Sequence, residues 1–356
     1  MYAVVLCIQA PFFNIHLSSL PMKSQITIKD IAKALNISAS TVSRALQDHP
    51  DISKNTKEAV NKYAKEHHYK PNAIALSLKM KRTNIIGVIM PEMVHHFFSS
   101  VLAGIEDTCN MRGYSVIVCQ TAENYDKEVK CVNTLQSARV SGILASLSKG
   151  TSDYSHYKEL VDDGTPLVFF DRICPELKTD RVVTDDYTGA YKAVQHLINT
   201  GSKRIVFLCA PTTLEISKNR ISGYMDALRA HNITPDENFI IECDTRERAI
   251  EMVPGIIDDL QPDAFFAIND KTASGVLYAV KRKGLNVPTD IQVCGFGDGT
   301  VAAVSDPSLT TVEQNGYAMG VEACKMLLNR IEDGNDMKEV SHSVIRTNLI
   351  KRESTR

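Results

Sequence analysis

Residues 27–46 read Thr-Ile-Lys-Asp-Ile-Ala-Lys-Ala-Leu-Asn-Ile-Ser-Ala-Ser-Thr-Val-Ser-Arg-Ala-Leu. Thr27 followed three residues later by Asp30 is a variant of the capping box, so a helix is expected from there to about Leu35. Its apolar residues Ile28, Ile31, Ala32 and Leu35 share one face. Asn36 tolerates the left-handed conformation that ends a helix, Ile37 plugs the turn, and Ser38 caps a second helix running to about Leu46. A third helix is expected from a Ser53 cap to about His68, with Val60 and Ala64 inward. Two short helices joined by a tight turn and braced by a third form a helix-turn-helix, which lays its second helix in the major groove of DNA. That helix offers Ala39, Ser40, Thr41, Ser43 and Arg44, small or polar side chains suited to close approach and to phosphates or base edges. The capping residues Thr27 and Ser38 join them as candidate DNA contacts. An ordinary three-helix miniature with a polar face is the competing reading.

The charge distribution favours the first. Residues 22–83 carry 12 Lys/Arg against 5 Asp/Glu, a net of +7, while residues 84–356 hold the other 28 Lys/Arg and 37 Asp/Glu, a net of -9. A basic module ahead of an acidic body is the electrostatic footprint of nucleic-acid binding attached to something else. At 356 residues the chain is long enough for two or three domains. No run approaches the ~18 apolar residues a membrane helix needs. The nine cysteines are scattered without CxxC or Cys/His spacing, so they read as reduced core thiols of a cytoplasmic protein, with no metal site or cofactor expected. Residues 1–21 are uncharged, lack a basic start and are interrupted by Pro11, which does not fit a secretory signal. They are expected to be a non-native or disordered extension, with translation starting at Met22.

After Lys70, Pro71 is well placed to open another short helix to Lys79, followed by the basic run Lys79-Met80-Lys81-Arg82. Two turns are marginal alone, so this segment is expected to fold only when docked on DNA. The runs Ile26-Thr27-Ile28-Lys29-Asp30-Ile31-Ala32, Thr41-Val42-Ser43-Arg44-Ala45-Leu46 and Tyr69-Lys70-Pro71-Asn72, in this order, resemble the start of the LacI/GalR family of bacterial regulators. The resemblance implies that residues 71–83 are a hinge that enters the minor groove. Asn72, Ala73, Leu78 and Lys79 would be its contacts, with Leu78 wedging a base step apart.

From residue 84 the pattern changes. Ten β-rich runs, from Ile85–Met90 to Leu309–Gln314, alternate with helix-length amphipathic stretches such as Ser100–Arg112, Thr188–Asn199 and Met319–Glu332. Alternation of this kind implies parallel sheets covered on both faces, and ten strands imply two sheets. The resemblance extends through this body and implies a periplasmic-binding-protein-like α/β domain of two doubly wound parallel-sheet subdomains. The expected domains are residues 22–70 for the all-α helix-turn-helix, 71–83 for the hinge and 84–356 for ligand binding and dimerisation. Within the last, one subdomain takes about 84–184 and 315–335 and the other about 185–312 and 336–350.

Ligands in such sheets bind beyond the carboxyl ends of the strands. Candidate ligand residues at these ends are Phe97, Phe98, Asp171, Asp185, Arg220, Asn269, Asp270 and Gln314. An aromatic stacks on a sugar or base, a carboxylate accepts from two hydroxyls, and the Arg220 fork binds a carboxylate or vicinal hydroxyls. Arg172 reads as a surface ion. Two departures from the family pattern stand out: His95-His96 where Asn-Pro is frequent, and Asp186 where Asn is usual. Adjacent histidines rarely share one ion, so they are not read as a metal site. No phosphate loop, dinucleotide fingerprint or nucleophile elbow is present. The expected function is therefore that of a sequence-specific DNA-binding repressor, not an enzyme, controlled by a small-molecule effector, a sugar or sugar derivative. A purine-responsive corepressor-type regulator and an α/β enzyme fused to a DNA-binding module are the alternatives. One reading head covers a half-site, so a homodimer on palindromic double-stranded operator DNA is expected, with a tetramer left open.

Overall fold

The computed structural model describes residues 26–69, 83–94, 96–333 and 339–356. The expectations for residues 1–21, for the hinge contacts Asn72, Ala73, Leu78 and Lys79, and for His95 lie outside the described residues. The chain divides into two compact units, residues 1–79 and 80–356.

In the first unit, α1 (Ile28–Ala34), α2 (Ala39–Leu46) and α3 (Lys54–Glu66) follow their caps. Thr27 and Asp30 close a reciprocal capping box: the Thr27 N–H donates to Asp30 Oδ2 at 2.8 Å and the Asp30 N–H to Thr27 Oγ1 at 3.3 Å. Asn36 takes φ 52°, in the left-handed region, and turns the chain into α2. Ser38 and Ser53 accept from the third residue of α2 and α3. Ile31, Val42, Ala45 and Val60 form a small buried core, widened by half-buried Leu35, Ile37, Leu46 and Tyr63.

The second unit contains two six-stranded sheets. The first holds β1 (Ile85–Met90), β2 (Ser115–Gln120), β3 (Gly142–Ala145), β4 (Leu167–Phe170), β5 (Asp180–Thr184) and β11 (His342–Ile345), in the order β11-β5-β4-β3-β1-β2. The second holds β6 (Ile205–Cys209), β7 (Ile240–Glu242), β8 (Ala264–Ala267), β9 (Gln292–Gly297), β10 (Thr310–Glu313) and β12 (Asn348–Ile350), in the order β12-β10-β9-β8-β6-β7. All pairings are parallel except β10 with β12. The central strands are buried along their length, as sheets covered on both faces require. Helices α4 (His96–Met111), α5 (Tyr125–Ser137), α6 (Ser155–Asp162) and α12 (Gly316–Glu332) accompany the first sheet. Helices α7 (Asp186–Asn199), α8 (Glu215–Ala230), α9 (Arg246–Leu260), α10 (Asp270–Arg282) and the short α11 (Thr300–Val304) accompany the second.

The chain crosses between the halves three times. It leaves the first after β5, returns after β10 so that α12 packs on α4, and crosses again between β11 and β12. The α4–α12 contact is close enough that a Cβ at Gly320 would strike the Val101 carbonyl. The expected assignment of 336–350 to the second subdomain is corrected here. His342–Ile345 pairs with Arg181–Thr184 in the first sheet, and only Asn348–Ile350 joins the second. Backbone pairing at an open sheet edge decides this, and strands of three or four residues carry too little periodicity to announce their partner.

Candidate functional site

In α2 the sequence-predicted contacts form one polar edge. Ala39, Ser40 and Arg44 are exposed, and Thr41 and Ser43 are half-buried. The Ser38 hydroxyl lies 2.7 Å from Ser40 Oγ and 2.8 Å from Thr41 Oγ1, so the first turn carries a linked set of three hydroxyls at a helix N-terminus. Arg44 makes no ion pair among the described residues, which leaves its five donors for another partner.

In the body, both sheets have the order 2-1-3-4-5, and that order reverses between the first and third strands, where a crevice opens at the carboxyl ends. In the first half the crevice lies beyond β1 and β3, followed by Phe97, Phe98 and Lys149. In the second it lies beyond β6 and β8, followed by Ala210, Leu214, Ile268 and Asn269. Together they line a cavity of about 630 Å³, within the size range of small-molecule sites.

Six of the eight predicted ligand residues line it: Phe97, Phe98, Asp171, Arg220, Asn269 and Gln314. The two phenyl rings meet edge to face at 5.3 Å and sit on one wall, at the start of α4. Asp171 is buried at φ 59° after β4, and its carboxylate accepts no hydrogen bond among the described residues. Burial pushes that carboxyl up to about 6; Arg172 pulls against this and Asp186 adds to it. Arg220 is held from three sides. Its Nε donates to Asp186 Oδ1 at 2.7 Å, its Nη1 donates to the Ile268 carbonyl at 2.7 Å, and its guanidinium lies 3.6 Å over the Phe296 ring. Burial raises the Asp186 carboxyl and the Arg220 charge opposes the rise. Asn269 caps α10 through Thr272 and donates to the Asp244 carbonyl, fixing its amide at the cavity wall.

Asp185 and Asp270 stand elsewhere. Asp185 caps α7, accepting from the Thr188 N–H at 3.2 Å. Asp270 accepts from Thr311 Oγ1 at 2.5 Å and from the Gly299 N–H at 2.8 Å, and burial raises its carboxyl against those two bonds. It borders a smaller cavity of about 280 Å³ beside Val94, His96 and Val301. Its carboxylate is held by β10 and the loop after β9, and the cavity it borders shares Phe97, Lys271 and Val301 with the main one.

The structure adds residues that the sequence reading left out. Arg172 Nη1 donates to both Glu123 oxygens at 2.9 Å, the Lys149 N–H donates to Glu123 Oε2 at 2.8 Å, and Lys149 Nζ reaches Asp244 Oδ2 at 2.6 Å. Lys149 follows β3 and Asp244 follows β7, so this chain of charges bridges the two halves across the cavity. Glu123 reaches its place through consecutive left-handed residues, Ala122 at φ 51° and Glu123 at φ 57°, a conformation that the sequence does not advertise. Among the described residues no three His, Cys, Asp or Glu are grouped to hold a metal ion, and no helix is long and apolar enough to cross a membrane.

Residues 27–72 match the description "Bacterial regulatory proteins, lacI family", and residues 194–355 match a periplasmic binding protein-like domain. The chain is 35% identical over 320 residues to the HTH-type transcriptional repressor PurR of Vibrio atlanticus, across 88% of this chain and 94% of that one. It belongs to the lacI family. Catabolite control protein A of Priestia megaterium is 32% identical over 307 residues, covering 85% of this chain and 91% of its own. Among solved structures, the complex of the transcriptional regulator CelR with cellobiose superposes with a TM-score of 0.71 at 27% identity, over 93% of this chain and all of that one. As a lacI-family protein the chain is a DNA-binding transcriptional repressor, not an enzyme, and repressors of this kind bind operator DNA and small-molecule effectors as dimers.

Proposed function

We propose that the effector of this repressor is a carbohydrate, bound in the 630 Å³ cavity between the two halves of the body. The observation that carries this reading is the asymmetry of the walls. The cavity's aromatic rings, Phe97 and Phe98, both belong to the first half; the second half lines it with Arg220, Asp244, Asn269 and Lys271 beside the aliphatic Leu214, Ile216 and Ile268, and no aromatic ring among the described residues. A purine has two aromatic faces to cover, whereas a pyranose has one apolar face and a rim of hydroxyls. One aromatic wall opposite carboxylates, amides and guanidinium groups matches the sugar. The CelR–cellobiose structure supports it as a relative that binds a carbohydrate. The PurR relatives keep a purine as the competing ligand.

Two copies of α2, carrying Ser40 and Arg44, read the half-sites of a palindromic operator, with the body forming the dimer. The effector acts by binding one arrangement of the two halves better than the other, since equal affinity for both would shift nothing. Coupling of this kind is worth about 1–3 kcal/mol, or roughly 5–150-fold in operator affinity. The test is fluorescence anisotropy of the protein on its own upstream region beside a scrambled duplex, repeated with sugars, sugar acids and purines. Preferential, salt-sensitive operator binding that a sugar shifts supports the reading; a shift produced by a purine alone overturns it.

A further inference from the structure

A second cavity, of about 260 Å³, adjoins the main one. The two share Arg172, Leu214 and Ile216 as common wall. Like the main cavity, it is built from both halves: Thr151 and Tyr154 follow β3, and Thr213 and Lys218 lie at the start of α8. One aromatic ring, hydroxyls and the Lys218–Glu215 ion pair at 2.7 Å repeat the chemistry of the main cavity on a smaller scale. At the junction stands Arg172. Its side chain is 10% exposed and its Nη1 is committed to Glu123 and the Leu147 carbonyl. Its Nε–H is buried and makes no hydrogen bond among the described residues, its ion pair with the Asp171 carboxylate at 3.9 Å being too long for one. A buried donor without an acceptor costs free energy, and native proteins rarely leave one without a reason.

Resting on the carbohydrate reading above, we infer that the effector is a sugar of two linked rings. One ring sits in the main cavity between Phe98 and Arg220. The other sits in the second cavity against Tyr154, and an oxygen of the ligand at the junction accepts from Arg172 Nε. Arg172 is thereby the specificity residue that distinguishes a disaccharide or glycoside from a monosaccharide. A ligand spanning both cavities contacts loops of both halves at each ring, which favours their closure more than a single ring does.

Isothermal titration of the full chain with monosaccharides and their disaccharides tests this: D-glucose against cellobiose and maltose, D-galactose against lactose and melibiose, with hypoxanthine and guanine alongside. A disaccharide is expected to bind at least about tenfold more tightly than its component sugar, the worth of one or two net hydrogen bonds. Thr213→Trp, at an exposed position, fills the second cavity without touching the core, and Tyr154→Ala removes its aromatic wall. Both variants should erase the disaccharide's advantage and leave monosaccharide affinity unchanged. A monosaccharide that binds as tightly as its disaccharides, with neither variant altering any affinity, overturns the two-ring inference and leaves the carbohydrate reading intact. Binding of a purine with no response to any sugar overturns both.

Discussion

The first sheet runs β2-β1-β3-β4-β5 and the second runs β7-β6-β8-β9-β10, so the same rim of each meets the same cavity. The carboxylates on those rims are used differently. In the second half, Asp186 is locked to Arg220 at 2.7 Å, and Asp270 is locked to Thr311 and Gly299. Each is satisfied by its own protein before any ligand arrives. In the first half, Asp171 is equally buried and accepts no hydrogen bond among the described residues; it faces the Arg172 Nε at 3.9 Å, an ion pair too long for a hydrogen bond on either side. The second half is a pre-set wall, and the first half holds the donors and acceptors still waiting for a partner. Among the residues that line the cavity, this loosely held Asp171–Arg172 pair marks the side that reads the ligand, since buried polar groups short of hydrogen bonds carry a cost that a ligand can relieve.

If the second half is a pre-set wall, breaking its locks should cost stability before it costs specificity. Arg220→Ala leaves Asp186 buried and uncompensated, an arrangement that costs roughly 3–5 kcal/mol. At a few degrees per kcal/mol for a domain of this size, the body should melt roughly 10 °C lower in a thermal scan. Arg220→Met combined with Asp186→Leu removes both charges and should recover most of the loss. A single Arg220→Ala variant that melts with the native protein would show that the pair is not a lock.

Asp270→Ala sharpens the same point, with an expected loss of about 2 kcal/mol in denaturant unfolding, because the Thr311 hydroxyl and the Gly299 N–H lose their acceptor. Undiminished stability together with a lost effector response would instead return Asp270 to the ligand site.

This residue also shows where the sequence stops being legible. The caps Thr27, Ser38 and Ser53 are readable because the side chain that ends each loop and the backbone it satisfies lie within three residues of each other. The strand ends that line the cleft are readable because alternating strands and helices put them there. Which way a side chain turns at a strand end is set by distant partners: Thr311 for Asp270, 41 positions away, and Glu123 for Arg172, 49 positions away. Arg172 therefore reads as a surface ion and is a cavity wall. The β11 and β12 pairings are hidden for the same reason, since their partners lie more than a hundred and about forty positions earlier.

The first half should respond to pH through Asp171. Its folded pKa, raised to about 6, means that the folded state holds the proton more tightly than the unfolded chain does. Lowering the pH through 6 therefore stabilises this site and removes its acceptor charge. Effector that donates to the ionised carboxylate should bind about fourfold more weakly at pH 5.5 than at 7.5. Asp171→Asn should flatten that dependence. An affinity that is level from pH 7.5 to 5.5 in the native protein would take Asp171 out of the contact.

The smallest effect tests what joins the two halves. Lys149 and Asp244 meet at 2.6 Å with side chains 30% and 10% exposed, so the pair is neither a free surface ion pair nor a buried one. Its worth after solvent screening is at most about 1 kcal/mol. If the bridge holds the halves closed around the cavity, Lys149→Met and Asp244→Asn should each weaken effector binding by up to about fivefold through faster dissociation, with little change in melting temperature. Exchanging the charges, Lys149→Asp with Asp244→Lys, should restore part of the affinity, because attraction across the cleft is recovered while the Lys149 backbone bond to Glu123 is retained. Loss that the exchange does not repair would mean that Lys149 and Asp244 touch the ligand separately, and that closure rests on the ligand alone.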